Sequence, residues 1–309
     1  MDPVVHGSAA MDRVLALAER VAATDASVLI TGESGTGKSF LAEKIHRLGR
    51  RRDGPFVIVP CANIPADLFE SELFGHEAGS HTDAVSRRTG RFEAAHGGTL
   101  VLDGVETLDQ RLQAKLLRAV QEKVFERLGG TETVEVDVRL ISCADAGLET
   151  RARDGAFRED LFYRLNVVHL RLPPLRERID DIGPLISHFL RLLERRHGGG
   201  RRKLSPEARR ALKSYSWPGN IRELAGSLER AVITRPTGVI EAEDLALGFG
   251  SPAEKVAREA HSKRWSLKAL EAAYIEEVLR EAGGNKSRAA SILGISRKTL
   301  LEKLKRSGN

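Results

Sequence analysis

A glycine-rich segment near the N-terminus constrains the fold of this chain more than any other feature. Residues 32–39 read Gly-Glu-Ser-Gly-Thr-Gly-Lys-Ser, which is a complete G-x-x-x-x-G-K-[ST] phosphate loop. Residues 27–31 before it have the pattern of a short buried strand, and residues 40–48 after it have the pattern of a helix. Backbone N–H groups of such a loop surround phosphates, and the helix N-terminus adds a favourable dipole. The segment therefore predicts a site for a nucleoside triphosphate.

The last residues of the loop and one later aspartate predict the cofactors. We expect Lys38 to reach the β- and γ-phosphates and the Ser39 hydroxyl to bind Mg²⁺. The apolar stretch 99–102 ends in Asp103, and a strand that ends in Asp is the form that holds Mg²⁺, directly or through water. ATP and Mg²⁺ are therefore the expected cofactors. The residues expected to bind them are Gly32, Glu33, Ser34, Gly35, Thr36, Gly37, Lys38, Ser39 and Asp103.

The composition is that of a globular chain without a membrane span. Hydrophobic residues make up 41% and charged residues 30% of the 309 positions, which is enough for a sizeable core. No apolar run approaches the length that crosses a bilayer. Cys61 and Cys143 are too few and too distant for a disulfide framework, so we expect a reducing cytoplasm. The net charge of +6 permits a nucleic-acid partner.

The order of patterns along the chain predicts its domains. Strand and helix patterns alternate over residues 1–172, which predicts an α/β domain with a parallel sheet and helices on both faces. Residues 173–246 begin with a Pro-Pro break and show helix patterns with no strand pattern between them, so they predict a small helical domain. Residues 247–265 are rich in Gly, Ser, Pro and charge and are interpreted as a linker. Residues 266–309 form a last helical unit.

This last unit has the signature of a helix-turn-helix. Residues 267–281 and 285–293 have helix patterns, a turn follows at Gly294, and Ser296 stands where it can cap a third, basic helix. We expect this helix to face the base edges and phosphates of double-stranded DNA. The expected DNA-binding residues are Ser296, Arg297, Lys298, Thr299, Lys303, Lys305 and Arg306. Such units usually act as dimers, and residues 267–279 are the candidate dimer face.

Several longer stretches resemble one known family. They are residues 32–39, 70–77 (Glu-Ser-Glu-Leu-Phe-Gly-His-Glu), 90–103, 112–130, 157–165 (Phe-Arg-Glu-Asp-Leu-Phe-Tyr-Arg-Leu), 172–178, 217–224 (Trp-Pro-Gly-Asn-Ile-Arg-Glu-Leu) and 266–309. Through them, nearly the whole chain resembles the central and C-terminal domains of the sigma-54-dependent AAA+ transcription activators, the bacterial enhancer-binding proteins. The resemblance implies an AAA+ P-loop sheet with helices on both faces, a helical lid domain and a C-terminal Fis-type helix-turn-helix.

The resemblance also implies roles for three arginines. Arg158 and Arg164 match the positions that reach into the nucleotide of a neighbouring subunit, where an arginine stabilises phosphate charge. Arg222 matches the lid arginine that senses the γ-phosphate. The resemblance thus implies self-association in an ATP-dependent ring, in addition to the dimer that the C-terminal unit predicts.

Three departures from the family pattern fall on the apparatus that activates the attacking water. The family ends its metal-binding strand with Asp-Glu, and this Glu polarises the water, whereas Gly104 follows Asp103 here. Pro60 replaces the Asn that controls this Glu, and Asp145 replaces the family's sensor Asn. We therefore expect a site that binds ATP and is impaired in hydrolysis. Glu106 lies nearby in the sequence and is the alternative catalytic carboxylate.

A fourth departure concerns the family's contact with sigma-54. The family loop reads Gly-Ala-Phe-Thr-Gly-Ala, whereas residues 79–84 read Gly-Ser-His-Thr-Asp-Ala, with His81 at the aromatic tip and Asp83 at a glycine. We expect this contact to be impaired, and RNA polymerase stays a candidate partner. The predicted function is an ATP-binding, sequence-specific DNA-binding transcription regulator. The alternative is an active ATPase that remodels the sigma-54 RNA polymerase holoenzyme. The basic helix-turn-helix argues against a third option, a remodeller of some other protein.

Overall fold

Two compact units make up the chain. The computed structural model describes residues 5–80, 86–197, 202–235, 237–247, 260 and 264–307. The two units are Met1–Leu245 and Ala246–Asn309. None of the helices in the described ranges combines the length and the apolar character that a membrane span needs.

A five-stranded parallel sheet lies at the centre of the first unit. In chain order, the described strands are β1 (Val28–Thr31), β2 (Phe56–Pro60), β3 (Gly75–His76), β4 (Arg88–Thr89), β5 (Thr99–Asp103), β6 (Val124–Glu126), β7 (Thr133–Glu135), β8 (Arg139–Ala144), β9 (Val168–Arg171), β10 (Lys203–Leu204) and β11 (Val239–Ile240). The sheet has the order β2-β5-β8-β1-β9. β1 and β8 are buried along their whole length, as expected for parallel strands covered on both faces. The predicted α/β fold class is confirmed.

Helices cover both faces of this sheet. Those of the first unit are α1 (Ala9–Ala22), α2 (Lys38–Leu48), α3 (Ala66–Phe74), α4 (Arg91–Ala94), α5 (Gln110–Glu122), α6 (Leu148–Arg153), α7 (Glu159–Leu165), α8 (Ile182–His197), α9 (Pro206–Ser214) and α10 (Asn220–Thr234). Val28 and Ile30 pack in one hydrophobic cluster with α1 and α2, whereas Leu29 packs in another with α5 and α7. Because successive side chains of a strand point to opposite faces, these clusters are the two sides of the sheet.

The residues after β9 form a helical subdomain that closes over the phosphate loop. It contains α8, α9 and α10, and the buried Trp217 indole N–H donates a 2.9 Å hydrogen bond to the Leu212 carbonyl. The expectation that no strand lies among these helices is wrong, because β10 and β11 pair in parallel through two residues each. A two-residue strand is too short to show alternation in the sequence.

Two antiparallel strand pairs, β3 with β4 and β6 with β7, are joined by a buried arginine. The Arg127 guanidinium donates to Glu93 Oε2 at 2.8 Å, and to Glu77 Oε1, beside β3, at 3.1 Å. These two carboxylates raise the pKa of Arg127, so its charge is fixed. The segment 79–84, which matches the family's sigma-54 loop and whose contact with sigma-54 we expect to be impaired, begins in this region, but His81 and Asp83 lie outside the described residues.

Residues 264–307 of the second unit form three helices around a small core. The helices are Leu267–Glu281, Lys286–Ile292 and Arg297–Ser307. Their core residues are Ile275, Val278, Ala282, Ala289, Ala290 and Leu300. Asn285 caps the second helix, because its Oδ1 accepts hydrogen bonds of 3.1 Å from the backbone N–H of Ser287 and of Arg288. Gly294 has a φ of +66°, which makes the turn into the third helix easy for glycine and costly for other residues. The predicted helix-turn-helix is confirmed.

Candidate functional site

The phosphate loop is already formed between β1 and α2. Gly35 and Gly37 have φ values of +78° and +104°, which other residues adopt only with strain. The Thr36 hydroxyl donates a 2.8 Å hydrogen bond to the Glu33 carbonyl. The Lys38 ammonium donates to the Gly32 carbonyl at 2.8 Å and to the Glu33 carbonyl at 3.2 Å. The loop therefore holds its own cation close to where phosphates would lie.

Two oxygen ligands meet at the end of the loop. The Ser39 hydroxyl donates a 3.0 Å hydrogen bond to Asp103 Oδ2 at the carboxyl end of β5. Hydroxyl and carboxylate oxygens are the ligands that Mg²⁺ prefers, so this pair fits the ion that the sequence implied. The structure thus brings together the two residues predicted to bind Mg²⁺.

A cleft of about 520 Å³ opens beside this pair. It is lined by Ser34, Gly35, Gly37, Lys38, Ser39, Phe40, Pro60, Ala62, Asn63, Asp103, Gly104, Glu106, Asp145, Ile221 and Arg222. Arg222 enters from the lid, and its guanidinium donates a 2.9 Å hydrogen bond to the Ser34 hydroxyl. The cleft therefore gathers most of the predicted nucleotide-binding residues. Gly32, Glu33 and Thr36 do not line it.

Glu33 instead joins the loop to the lid. Its carboxylate accepts hydrogen bonds of 2.9 Å and 2.6 Å from the Arg176 guanidinium, which lowers the pKa of Glu33. The Asn220 amide donates to the same carboxylate at 3.1 Å and to the Ser34 carbonyl at 3.0 Å. The sequence did not indicate this network, because its members come from three distant segments.

Pro60, Gly104 and Asp145, the three residues that depart from the family pattern, all line the cleft. Pro60 stands opposite Asp103 in the register of β2 and β5, and Gly104 follows with a φ of +86°. Asp145 accepts a 2.8 Å hydrogen bond from the Gly147 N–H and a 3.2 Å one from Arg151. No sequence pattern indicated that Arg151 would partner Asp145. This ion pair offsets the negative charge that Asp145 brings to a phosphate site.

Glu106 also lines the cleft, and its carboxyl group is only partly satisfied. It lies in a short 3₁₀ turn, Val105–Thr107, directly after Gly104. Its Oε2 is buried and has no hydrogen-bond partner among the described residues. Burial raises the pKa of Glu106, and the nearby Asp145 raises it further.

A second cavity, of about 250 Å³, adjoins the phosphate loop and is mostly apolar. It shares Gly37, Phe40 and Ile221 with the cleft. The other lining residues are Val5, Met11, Thr36, Leu41, Leu172, Arg178, Leu185, His188 and Phe189. The sequence did not reveal this cavity, because its lining comes from the N-terminus, the loop, α2 and the lid.

The two arginines expected to act on a neighbouring subunit lie away from the cleft. Arg158 precedes α7 and pairs with Asp160 at 2.7 Å on the surface. Arg164 is exposed on α7 and lines a different cavity together with Asp25 and Arg51. Neither arginine is among the residues that line the cleft in the described part of the chain.

The predicted DNA-binding residues occupy different environments in the second unit. Arg297 and Lys298 are exposed at the start of the third helix, and the Ser296 hydroxyl accepts a 3.1 Å hydrogen bond from the Thr299 N–H. The Lys303 ammonium, by contrast, lies 2.5 Å from Glu271 Oε1 of the first helix. The side chains of the two remaining predicted residues, Lys305 and Arg306, lie outside the described residues.

The fold and the site define the class of protein. A phosphate loop after β1 of a parallel sheet, closed by a helical lid, is a P-loop nucleotide-binding arrangement of the AAA+ type. Family models agree with each part. The Sigma-54 interaction domain matches residues 4–171, the AAA+ ATPase lid domain matches residues 176–262, and the Fis family of bacterial regulatory proteins matches residues 266–306.

Comparisons with individual proteins identify the family. The chain is 44% identical to the transcriptional regulatory protein FlbD of Caulobacter vibrioides, over 98% of this chain and 70% of FlbD. It is 45% identical to the regulatory protein AtoC of Escherichia coli, over 99% of this chain and 68% of AtoC. Crystal structures of NtrX from Brucella abortus are also similar. The ATP complex has 38% identity and a TM-score of 0.75, and the match covers 100% of this chain and 70% of NtrX. This chain belongs to the sigma-54 activator family, with AAA+ and Fis-type helix-turn-helix domains.

Proposed function

We propose that this chain is an ATP-binding, sequence-specific DNA-binding transcription regulator whose ATP hydrolysis is impaired. The observation that carries the proposal is the juxtaposition of an intact phosphate loop, with Ser39 on Asp103, and Gly104 at the position of the water-activating glutamate. NtrX of Brucella abortus has been crystallised with ADP and with ATP, which supports a nucleotide at the equivalent loop here.

The two cavities suit the two ends of ATP. The polar cleft takes the triphosphate, with Lys38 and the lid residue Arg222 as its cations. The adjoining apolar cavity takes the base, because flat aromatic rings prefer such surroundings. Ser39 and Asp103 hold Mg²⁺, which neutralises phosphate charge when it is bound. Arg158 and Arg164 face outward, as arginines that serve a neighbouring subunit must.

Impaired hydrolysis follows from the residues around the expected water. Gly104 has no side chain that could act as a base. Pro60 has no side-chain amide that could orient a base at position 104. Asp145 is engaged by Arg151 and the Gly147 N–H. A positioned general base typically contributes about 10²–10⁴-fold, so we expect turnover to fall by a factor in this range. Bound ATP would then act as a long-lived signal that favours one assembly state.

The remaining partners follow from the second unit and the family. Double-stranded DNA is the partner of the third helix of the second unit. This helix begins with the exposed residues Arg297 and Lys298. We propose a dimer through the C-terminal unit and an ATP-dependent ring through the AAA+ domain. His81 and Asp83 at the sigma-54 loop predict a weakened contact with sigma-54, with RNA polymerase as a candidate partner. A cytoplasmic location belongs to the same proposal.

One observation favours the alternative, an active ATPase that remodels the sigma-54 RNA polymerase holoenzyme. Glu106 lines the same cleft as Lys38 and Asp103. If Glu106 activated water with the same efficiency as the family's glutamate, hydrolysis would not be impaired. The rate of phosphate release separates the two functions.

Nucleotide binding is tested by calorimetry with ATP and Mg²⁺. Lys38→Ala removes the cation of the loop, and charge-assisted hydrogen bonds of about 1.5–3 kcal/mol predict a loss of roughly 10–150-fold in affinity. Lys44→Ala is the matched control, because Lys44 lies on the same helix and does not line the cleft. Equal affinities of the parent and Lys38→Ala would contradict the proposed site.

A further inference from the structure

We propose that Glu106 is the general base of a slow residual ATP hydrolysis in this chain. The inference rests on the proposed function, since it needs ATP in the cleft. It adds a catalytic residue at a position other than that of the family's glutamate. The proposal is carried by the geometry of the turn after β5 and by the unmet hydrogen-bonding capacity of the Glu106 carboxyl group.

The turn after β5 holds Glu106 at the cleft. The Gly104 N–H donates a 2.8 Å hydrogen bond to the Cys143 carbonyl of β8, and the Thr107 hydroxyl donates one of 2.8 Å to the Gly104 carbonyl. Val105, between them, is fully buried. The left-handed conformation of Gly104 and the 3₁₀ turn after it thus place Glu106 beside the phosphate loop, on a backbone fixed at both ends.

One oxygen of Glu106 is buried and lacks a hydrogen-bond partner among the described residues. The rest of the side chain lies in the turn that lines the cleft. Buried carboxylate oxygens in native proteins almost always accept a hydrogen bond. If the carboxyl group turns toward the cleft that Glu106 lines, Oε2 can accept a hydrogen bond from a water beside the phosphates, which would position this water for attack.

The environment of Glu106 favours its action as a general base. Burial is the largest effect and raises the pKa of Glu106, which makes its carboxylate a stronger base. Asp145 raises the pKa further, and Lys38 lowers it. The other groups near this turn are Asp103 and two thiols, Cys61 and Cys143, whose own pKa values burial raises, so that they stay neutral. Arg222 faces the cleft from the lid.

The proposed step balances with ATP and water as its reactants. The water oxygen forms a bond to the γ-phosphorus, and the water proton passes to Oε2 of Glu106. The bond between the γ-phosphorus and the oxygen that bridges it to the β-phosphorus breaks, and ADP leaves with that electron pair. Glu106 then releases its proton to solvent, which restores the carboxylate for the next turnover.

Glu106→Gln tests the step, because glutamine keeps the size and the acceptor oxygen of glutamate but cannot take the proton. Phosphate release is measured in a single turnover with protein in excess over ATP, and ATP affinity is measured by calorimetry. We expect the rate to fall at least 10-fold while the affinity changes less than about 3-fold. Glu19→Gln on the exposed face of α1 is the control and should match the parent.

Two further readouts separate catalysis from a merely structural role. The parent rate should rise with pH through the titration of Glu106, above its ordinary value of 4.5, and this rise should vanish in Glu106→Gln. In the nucleotide-free protein, the Glu106 carboxyl carbon should titrate above 4.5 by NMR. Glu106→Gln with the parent rate would overturn the proposal, and so would parent turnover no faster than uncatalysed hydrolysis. Neither result bears on ATP binding, which the calorimetry tests separately.

Discussion

The side-chain amide of Asn220 in the lid lies 3.1 Å from the Glu33 carboxylate of the phosphate loop. The same amide donates to the Ser34 carbonyl, while its oxygen accepts a 2.7 Å hydrogen bond from the Leu175 N–H. Asn220 is completely buried and has a φ of +52°, a conformation in which few residues other than glycine are stable. The NH₂ group of Asn220 therefore attaches the lid to the loop, while its oxygen holds the segment at Leu175.

This attachment predicts an order of stability for two variants. Asn220→Ala removes the three hydrogen bonds and keeps the backbone strain, so it should destabilise the chain by about 2–3 kcal/mol. Asn220→Gly also loses the hydrogen bonds but relieves the strain at positive φ, so it should be less destabilising. Thermal unfolding of the three proteins without nucleotide measures this order. An Asn220→Ala variant as stable as the parent would show that the lid is held by other contacts.

A second prediction separates two cations of the third DNA-binding helix. Arg297 is exposed, whereas Lys303 is held by Glu271. Arg297→Ala should relax sequence preference at one base position by about 1–3 kcal/mol if Arg297 contacts a base edge. Lys303→Ala should weaken DNA binding less than Arg297→Ala does, because Lys303 must leave its carboxylate partner before it can contact DNA. Binding to specific and random DNA at several salt concentrations tests both. Equal losses of DNA affinity for the two variants, or no loss for either, would contradict these different roles of Arg297 and Lys303.

A third prediction concerns pH and the buried His46. Its Nδ1 lies 2.9 Å from the Thr99 hydroxyl, and burial, followed by Arg47 and Arg139, lowers the pKa of His46 below its ordinary value of 6.5. The native state thus resists a proton that the unfolded state accepts. The stability is fully present above pH 6.5 and is lost as the pH falls through the lowered pKa of the folded state.

His46→Gln measures this contribution. Urea unfolding between about pH 7.5 and 5.5 should show the parent losing stability with a steeper slope than the variant. His169 also has a pKa lowered by burial, so part of the slope should persist in His46→Gln. If the slopes of the parent and the variant coincide, His46 is not the group that titrates.

A fourth prediction concerns restoration of the missing carboxylate. A side chain at position 104 has room, since the nearest atoms to an added Cβ belong to Ala62 at 3.8 Å, but the φ of +86° strains any residue other than glycine. Gly104→Glu and its control Gly104→Gln should therefore both lose about 1–2 kcal/mol of stability. Only Gly104→Glu should hydrolyse ATP faster than the parent, and the gain should be partial while Pro60 remains. Equal rates for the two variants would refute the assignment of position 104.

Much of this architecture is predictable from the sequence because its signals are local. The phosphate loop, the buried run that ends in Asp103 and the turn at Gly294 each specify a structure within a few residues. The relationships that decide the chemistry are not local. Arg176 on Glu33 and Asn220 on Ser34 join segments that are distant in the sequence, so their proximity depends on packing, and no period or motif encodes them.

The backbone conformation at Gly104 shows a second limit of the sequence. The substitution is visible in the sequence as a missing carboxylate. That position 104 has a positive φ, and that the turn after it brings Glu106 to the cleft, depends on the anchoring of the chain to Cys143. From the sequence alone, Glu106 is close to Gly104 in the chain, but nothing favours it as the catalytic carboxylate.

The turnover of the parent protein shows whether this site binds ATP and hydrolyses it poorly. Phosphate release is measured at saturating ATP and Mg²⁺ over several protein concentrations, with calorimetry on the same sample to establish occupancy. We predict saturable ATP binding with turnover far below 1 s⁻¹, which is about the low end of typical enzymes. Turnover of about 1 s⁻¹ or more would contradict it and would favour the active remodeller, with Glu106 as its base.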